Sequence, residues 1–151
     1  MTSRFRVIPA AYVVFRRDDE VLLQLRQNTG YRDGFWATAA AGHVELDESV
    51  YAAAVRESAE ELGVTIAVED LASLCCMHRT HGNHDPIDER ADFFFQCRRW
   101  SGEPRIMEPV KNAELNWFPL DTLPDPVVPH ELYVIERLRA GDLAPVVTFG
   151  F

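Results

Sequence analysis

Long apolar runs, an excess of basic charge and paired cysteines are all missing from this sequence. No stretch approaches the run of about eighteen apolar residues that a membrane-crossing helix needs. The opening segment MTSRFRVIPA also lacks the continuous apolar centre of a secretion signal. Both absences lead to the expectation of a cytoplasmic protein with no membrane partner. The formal net charge of −9 argues against a nucleic-acid polymer or an anionic lipid surface as partner, because both attract basic patches. An acidic chain can still take a polyphosphate when a cation lies between them. The three cysteines, Cys75, Cys76 and Cys97, form no CxxC pair, so buried reduced thiols are expected rather than disulfides. There is no internal repeat and no low-complexity segment. A length of 151 residues suits one domain, 1–151, with a single core and no room for a DNA-reading module.

What is present alternates between extended and helical patterns. Arg6 to Arg16 (RVIPAAYVVFR) is an apolar, β-branched run that reads as a buried strand. The polar turn Arg17 to Glu20 then leads into VLLQLR at Val21 to Arg26, which suggests a hairpin. Residues 27–34 hold two glycines and read as a loop, after which Phe35 to Ala41 extends again. A helix is predicted from a cap at Asp47 or Ser49 to Gly63, which suits a left-handed C′ position. Strands are expected over Val64 to Val68, Leu71 to His78 and Ala91 to Arg99, with a short one ending near Phe118. Glu131 to Ala140 reads as a second amphipathic helix, approached through the prolines between Pro119 and Pro129.

The most informative stretch is Gly42 to Val64, GHVELDESVYAAAVRESAEELGV, with five glutamates, one arginine and no lysine. On a helix Glu57, Glu60 and Glu61 stand at i, i+3 and i+4, so their carboxylates share about one third of the circumference. Tyr51, Val55, Ser58, Ala59 and Leu62 fall on the other side, which predicts a core face opposite an acidic face. Like charges at such neighbours each cost roughly 0.2–0.5 kcal/mol, and the C-terminal end of the helix dipole adds to the cost. Clustered hard oxygen ligands without lysine suit Mg²⁺ or Mn²⁺; a solvated acidic face is the plainer alternative.

The spacing of Gly42, Glu48, Arg56-Glu57, Glu60-Glu61 and Gly63-Val64 resembles the signature of the Nudix hydrolases. Ser58 departs from it where the family carries an aliphatic residue. Asp47 stands for a common glycine, and Thr38 to Ala41 for a common Leu-Pro-x-Gly. The resemblance implies an α/β fold, an α/β/α sandwich with a mixed sheet. It also implies metal-dependent hydrolysis of a nucleoside diphosphate linked to another moiety, by attack at phosphorus. By this resemblance Glu57, Glu60 and Glu61, with the Ala41 carbonyl, hold the metal; Glu57, Glu60 and Arg56 are catalytic, Arg56 pairing with Glu48 to fix the loop–helix junction. The base is Glu57, Glu60 or a downstream glutamate, Glu108 or Glu114. Arg26, Phe35, Trp117 and Asp121 are expected to bind substrate, with Trp117 either stacking on a base or packing in the core. Tyr31 and Trp36 are expected beside the same cleft. A homodimer is suggested by the family's habit and by the apolar tail Leu143 to Phe151.

Substrate signals are mostly negative. There is no SQPWPFPxS run as in NADH pyrophosphatases and no LLTxR motif as in coenzyme A pyrophosphatases. Met77 to His81 replaces the proline or tyrosine of ADP-ribose and diadenosine enzymes. A MutT-like nucleoside triphosphate pyrophosphatase remains, with other nucleoside diphosphate derivatives (ADP-ribose, nucleotide sugars, dinucleotides) as the alternative. A silent nucleotide-binding module would be expected to lose a box glutamate, and an isopentenyl diphosphate isomerase-like enzyme needs a cysteine context absent here. His78, His81 and His84 recur every third residue in a polar loop, which leaves a zinc site or a solvated loop open. Arg79 and Arg90 are expected to meet phosphate or Asp85, Asp88 and Glu89.

Overall fold

The computed structural model describes residues 3–151. Its strands are β1 (Ile8–Arg17), β2 (Glu20–Arg26), β3 (Trp36–Thr38), β4 (Ala40–His43), β5 (Leu71–Arg79), β6 (Arg90–Cys97), β7 (Asn112–Pro119) and β8 (Val146–Phe149). Its two α-helices are α1 (Val50–Leu62) and α2 (Pro129–Ala140). Strand β1 organises the main mixed sheet, running parallel to β6 and antiparallel to β4. Beyond β6 lie β5 and then β8. The β1–β2 hairpin joins this sheet to an antiparallel set in which β2 pairs with β3 and β7.

The alternation along β1 explains the layers. Ala11, Val13 and Phe15 pack with Ala53, Ala54 and Leu62 of α1, while Ala10, Tyr12 and Val14 pack with Val134 and Ile135 of α2. A strand covered on both faces must be apolar nearly throughout, which accounts for the unbroken run read in the sequence. The arrangement is the expected α/β/α sandwich.

Several boundaries differ from expectation. Val64–Val68 is not a strand: one bridge, Thr65 to Ser101, is followed by a 3₁₀ turn at Val68–Asp70. β7 is a full eight-residue strand paired along β2 rather than a short end. The tail that suggested a dimer supplies β8, which runs parallel to β5 within the chain's own sheet, so its apolarity serves the fold. No helix of the described residues is long and apolar enough to cross a membrane.

Candidate active site

Helix α1 is capped by Ser49, whose hydroxyl accepts from the Ala52 N–H at 3.0 Å. Asp47 lies upstream with φ +64°, a left-handed conformation that Asp tolerates better than most residues; this is the conformational demand behind the glycine common at that position. At the other end Gly63, φ +68°, donates its N–H to the Ala59 carbonyl, closing the helix as predicted.

The face of α1 is turned differently from the sequence expectation. Its buried residues are Ala53, Ala54, Ser58 and Leu62, whereas Tyr51 and Ala59 are exposed. Glu57 and Glu61 are half-buried on this same side, and Glu60 alone faces solvent. The acidic and apolar faces therefore overlap. Small residues allow it: Ala53 and Ala54 let the helix approach the sheet, and a Cβ at Gly42 on β4 would overlap the Glu57 carboxylate. Ser58 fits the crowded side because its hydroxyl donates to the Ala54 carbonyl at 2.8 Å, a bond within the helix that leaves no unpaired polar group.

Arg56 ties the loop to the helix. Its Nε and Nη2 donate to the two Glu48 oxygens at 2.7 and 2.9 Å, a bidentate fork. Nη1 reaches Glu57 at 2.8 Å and Glu60 at 3.2 Å, and Nη2 also donates to the His43 carbonyl at 3.1 Å. Hydrogen bonds from Arg56 and from the Glu45 backbone pull the Glu48 carboxyl down to about 2. Arg56 itself is held well above its ordinary range by Glu48.

Glu61 has the opposite environment. Its one hydrogen bond comes from the Ala41 N–H at 2.9 Å. Burial, with the neighbouring charges of Glu57 and Glu108, pushes its carboxyl up to about 8. Glu57 is raised as well, first by burial and further by Glu60 and Glu108, against the pull of Arg56. Glu108 is thus the downstream glutamate whose charge reaches both, while Glu114 lies on β7 opposite Leu25. Among the described residues no three His, Cys, Asp or Glu side chains already converge as a closed metal cage; Glu60 is turned toward Arg56 instead of toward Glu61.

Beside Glu61, Ala41 and Gly42 opens a cleft of about 340 Å³. Arg26, Tyr31, His43 and Arg90 line it, with Arg26 lying 5.5 Å over the Tyr31 ring and Arg90 Nη1 2.8 Å from His43 Nε2. Of the substrate residues expected from sequence, Arg26 is in the cleft lining and Phe35, Trp117 and Asp121 are not. Trp117 stacks on Trp100 at 6.0 Å under the Arg17 guanidinium and packs against the α1-side core. Its strand β7 pairs along β2, and the ring is partly buried there. Phe35 lies under Arg32, Trp36 meets Phe118 edge-on, and Asp121 sits in the exposed turn after β7.

The floor of the cleft is a buried polar network that sequence reasoning missed. Asp92, fully buried, accepts from Arg79 Nε at 2.6 Å, so Arg79 pairs across β5 and β6 rather than with Asp85, Asp88 or Glu89. Burial opposes the charge on Arg79, but Asp92 outweighs it and the guanidinium is raised overall. Tyr12 stacks on Phe94 and its hydroxyl lies 3.1 Å from His130 Nε2. Burial, helped by Arg79, drives His130 down to about 2, a neutral ring. Glu131 accepts from both the N–H and the hydroxyl of Thr38 at 2.8 and 2.6 Å. One signal was available: Asp92 stands directly before the apolar run Phe93-Phe94-Phe95 in β6, where a buried acid demands a partner. The histidines of this loop find different partners, His78 lying tilted against Phe151 and His81 between Arg79 and Asp88.

The sandwich and the acidic loop–helix together define a class: the model of the NUDIX domain family matches residues 6–138, and the chain belongs to that family. Among particular relatives it is similar to the NAD-capped RNA hydrolase NudC of Escherichia coli (strain SMS-3-5 / SECEC), 33% identical over 119 residues, 79% of this chain and 42% of the relative. The chain thus spans less than half the length of the curated relatives it matches. Among solved structures it is similar to a MutT NUDIX hydrolase from Burkholderia pseudomallei, with a TM-score of 0.78 and 28% identity over 89% of this chain and 99% of that one. It also shares its fold with an ADP-ribose pyrophosphatase from Streptococcus suis 89-1591, TM-score 0.62 and 21% identity over 95% of this chain and 99% of that one.

Proposed function

We propose that this protein is a metal-dependent pyrophosphohydrolase that cleaves the diphosphate linkage of a nucleoside diphosphate derivative, and that its substrate is a nucleoside triphosphate. The observation that carries this reading is the half-buried pair Glu57 and Glu61, two carboxyls raised by burial first and then by neighbouring carboxylates, at the edge of a cleft whose other groups include Arg26 and Arg90. Such a donor set, all hard oxygen and without lysine, fits Mg²⁺ or Mn²⁺. Glu57, Glu61 and, after release from Arg56, Glu60 would hold it, with the Ala41 carbonyl alongside. When bound, the ion supplies charge neutralisation on the phosphates and a water of lowered pKa.

The chain's own groups account for the rest. Arg56, locked to Glu48, holds the β4–α1 loop against the helix so that Glu57 stays over Gly42. Arg26 and Arg90, both in the cleft lining, supply positive charge to the polyphosphate. Glu108 is the better placed of the two downstream candidates to accept the proton of the attacking water, since its charge is felt at Glu57 and Glu61.

The likeness to NudC favours a second reading, a dinucleotide as substrate, although the SQPWPFPxS run of NADH pyrophosphatases is absent. A screen with Mg²⁺ and Mn²⁺ over nucleoside triphosphates, oxidised ones included, dinucleotides, nucleotide sugars and ADP-ribose separates these readings. Nucleoside monophosphate plus pyrophosphate supports the first. Two monophosphates from a linked substrate move the substrate class to the second. Metal binding with no turnover anywhere would replace both with a nucleotide-binding module.

A further inference from the structure

The segment 105–112 runs from the end of α1 to the start of β7, and hydrogen bonds anchor it on both sides. Arg105 N–H donates to the Leu62 carbonyl at 3.1 Å and Met107 N–H to the Glu61 carbonyl at 3.2 Å, two carbonyls that the last turn of a helix leaves without partners of its own. Gln27 and Asn28, which follow Arg26 at the end of β2, take hold of the next residues. Gln27 donates from Nε2 to the Pro109 carbonyl at 2.9 Å and from its backbone N–H to the Lys111 carbonyl at 2.8 Å, and Asn28 Nδ2 donates to the Val110 carbonyl at 3.0 Å. Glu108 is the residue between these two sets of bonds. Its own carbonyl closes the turn, accepting from the Lys111 and Asn112 N–H groups at 3.0 and 3.1 Å.

Gln27 and Asn28 hold firmly because the loop behind them is braced from within. Arg26 donates from Nε to the Tyr31 carbonyl at 2.9 Å and from Nη2 to Thr29 Oγ1 at 3.1 Å, and the Asp33 carboxylate accepts from the Thr29 and Gly30 N–H groups, each at 3.0 Å. Asn28 has φ +55°, a left-handed conformation that glycine and asparagine adopt at least cost. Backbone and side chain are thus both specified at this position. Across the ladder β7 carries an extra residue where it leaves the segment, Leu25 facing Glu114 and Arg26 facing Asn112, and a bulge of this kind bends its strand.

We propose that Gln27 and Asn28 are positioning residues for the reaction: by holding the carbonyls of Pro109 and Val110 they fix Glu108 beside the carboxylates of α1, and they tie its place to the loop that brings Arg26 and Tyr31 to the cleft. The charge of Glu108 is felt at both Glu57 and Glu61, so the segment does deliver it there. Its carboxylate keeps only a loose pair, 3.9 Å from Lys111 Nζ, and the precision of its placement comes from the backbone. Gln27 and Asn28 lie outside the cleft lining, so contact with substrate does not account for them. A general base acts only within hydrogen-bond reach of its proton, and a misplacement of about 1 Å costs on the order of a hundredfold. This inference rests on the hydrolase reading above, with Glu108 as the base, and deepens it.

The test removes the two side-chain bonds and spares the backbone. Gln27→Met keeps the side-chain length without its N–H, and Asn28→Gly keeps the left-handed conformation without the amide. In the metal-free protein the two substitutions together should speed amide exchange at Met107, Lys111 and Asn112 about tenfold or more, while the Gly63 amide, bonded to Ala59 at the end of α1, exchanges as before. In Mg²⁺-dependent turnover of ATP, GTP, CTP, UTP and NADH, kcat on the best substrate should fall about tenfold or more, with KM and the Mg²⁺ requirement within about twofold of wild type. Glu108→Gln alone should lower kcat about a hundredfold or more, and the two substitutions should then cost nothing further, because they act only through Glu108. Equal losses with and without Glu108, a raised KM at unchanged kcat, or unchanged amide exchange overturns the proposal. Faster exchange in a protein that turns over none of these substrates removes the hydrolase reading, and the positioning role falls with it; turnover with unchanged exchange removes the positioning role alone.

Discussion

Replacing Glu61 by glutamine tests the site at its most strained point. The carboxyl is pushed up to about 8 from an ordinary 4.5, by burial first. A group whose proton is held more tightly in the folded state supports folding at low pH, and that support is lost as pH rises from about 4.5 toward 8. At pH 7 the loss comes to about 3 kcal/mol, and above pH 8 to about 4–5 kcal/mol, with solvent screening at a half-buried group making these ceilings. Glutamine carries no such penalty at any pH, and its carbonyl oxygen can still accept from the Ala41 N–H. Glu61→Gln should therefore match the wild type near pH 4 in metal-free urea unfolding and exceed it progressively, by up to about 1.5 M in midpoint at pH 7 for a urea slope of about 2 kcal/mol/M. Magnesium should stabilise the wild type and not the variant, because the cation takes over the charge that burial opposes, and Mg²⁺-dependent turnover should be abolished. A stability gap independent of pH, or a variant weaker than wild type at pH 8, would refute the account of Glu61.

The other expectations are simpler. Asp92→Ala leaves Arg79 buried and unpaired, and should cost about 3–5 kcal/mol in chemical unfolding; a loss below about 1 kcal/mol would show that the pair is not what holds β5 and β6 together there. Trp117→Ala should lower stability by about 3 kcal/mol while KM stays put, since the ring packs on Trp100 and not in the cleft; a raised KM at unchanged stability would return Trp117 to the substrate. Gly42→Ala drives a methyl into the Glu57 carboxylate and should raise the Mg²⁺ concentration needed for turnover at least tenfold, about 1.4 kcal/mol of cation affinity; an unaltered Mg²⁺ titration would mean that Glu57 is free to move aside.

The helix α1, its cap and its stop were legible because each signal is local. Ser49 and Gly63 act through bonds within four residues, and the i, i+3, i+4 placement of the glutamates needs only the helix pitch. Which way that helix turns was not legible. An apolar stripe of Tyr51, Val55, Ser58, Ala59 and Leu62 satisfies the periodicity, yet the buried side is set by Ala53 and Ala54, whose smallness lets β4 come close. Close approach is a property of two elements, and Gly42 shows why: its missing Cβ has meaning only against Glu57, fifteen positions along the chain. The same limit explains Val64–Val68, whose Val64 and Ile66 fill the core beside α1 without finding a strand to pair along.

The cleft floor lies further still from local rules. Thr38 and Glu131 stand 93 positions apart, Tyr12 and His130 118 apart, and nothing in their neighbours announces the pairing. Each reads as an ordinary residue of a strand or of a helix start. The two parts of the site are therefore written at different ranges: the carboxylates follow one another along a single helix, while the groups of the cleft converge from β1, β2, β3, β6 and α2. An intact Gly42 to Val64 segment therefore carries the signature of the family, while the shape and polarity of the cleft are set by pairings that only the folded chain brings together.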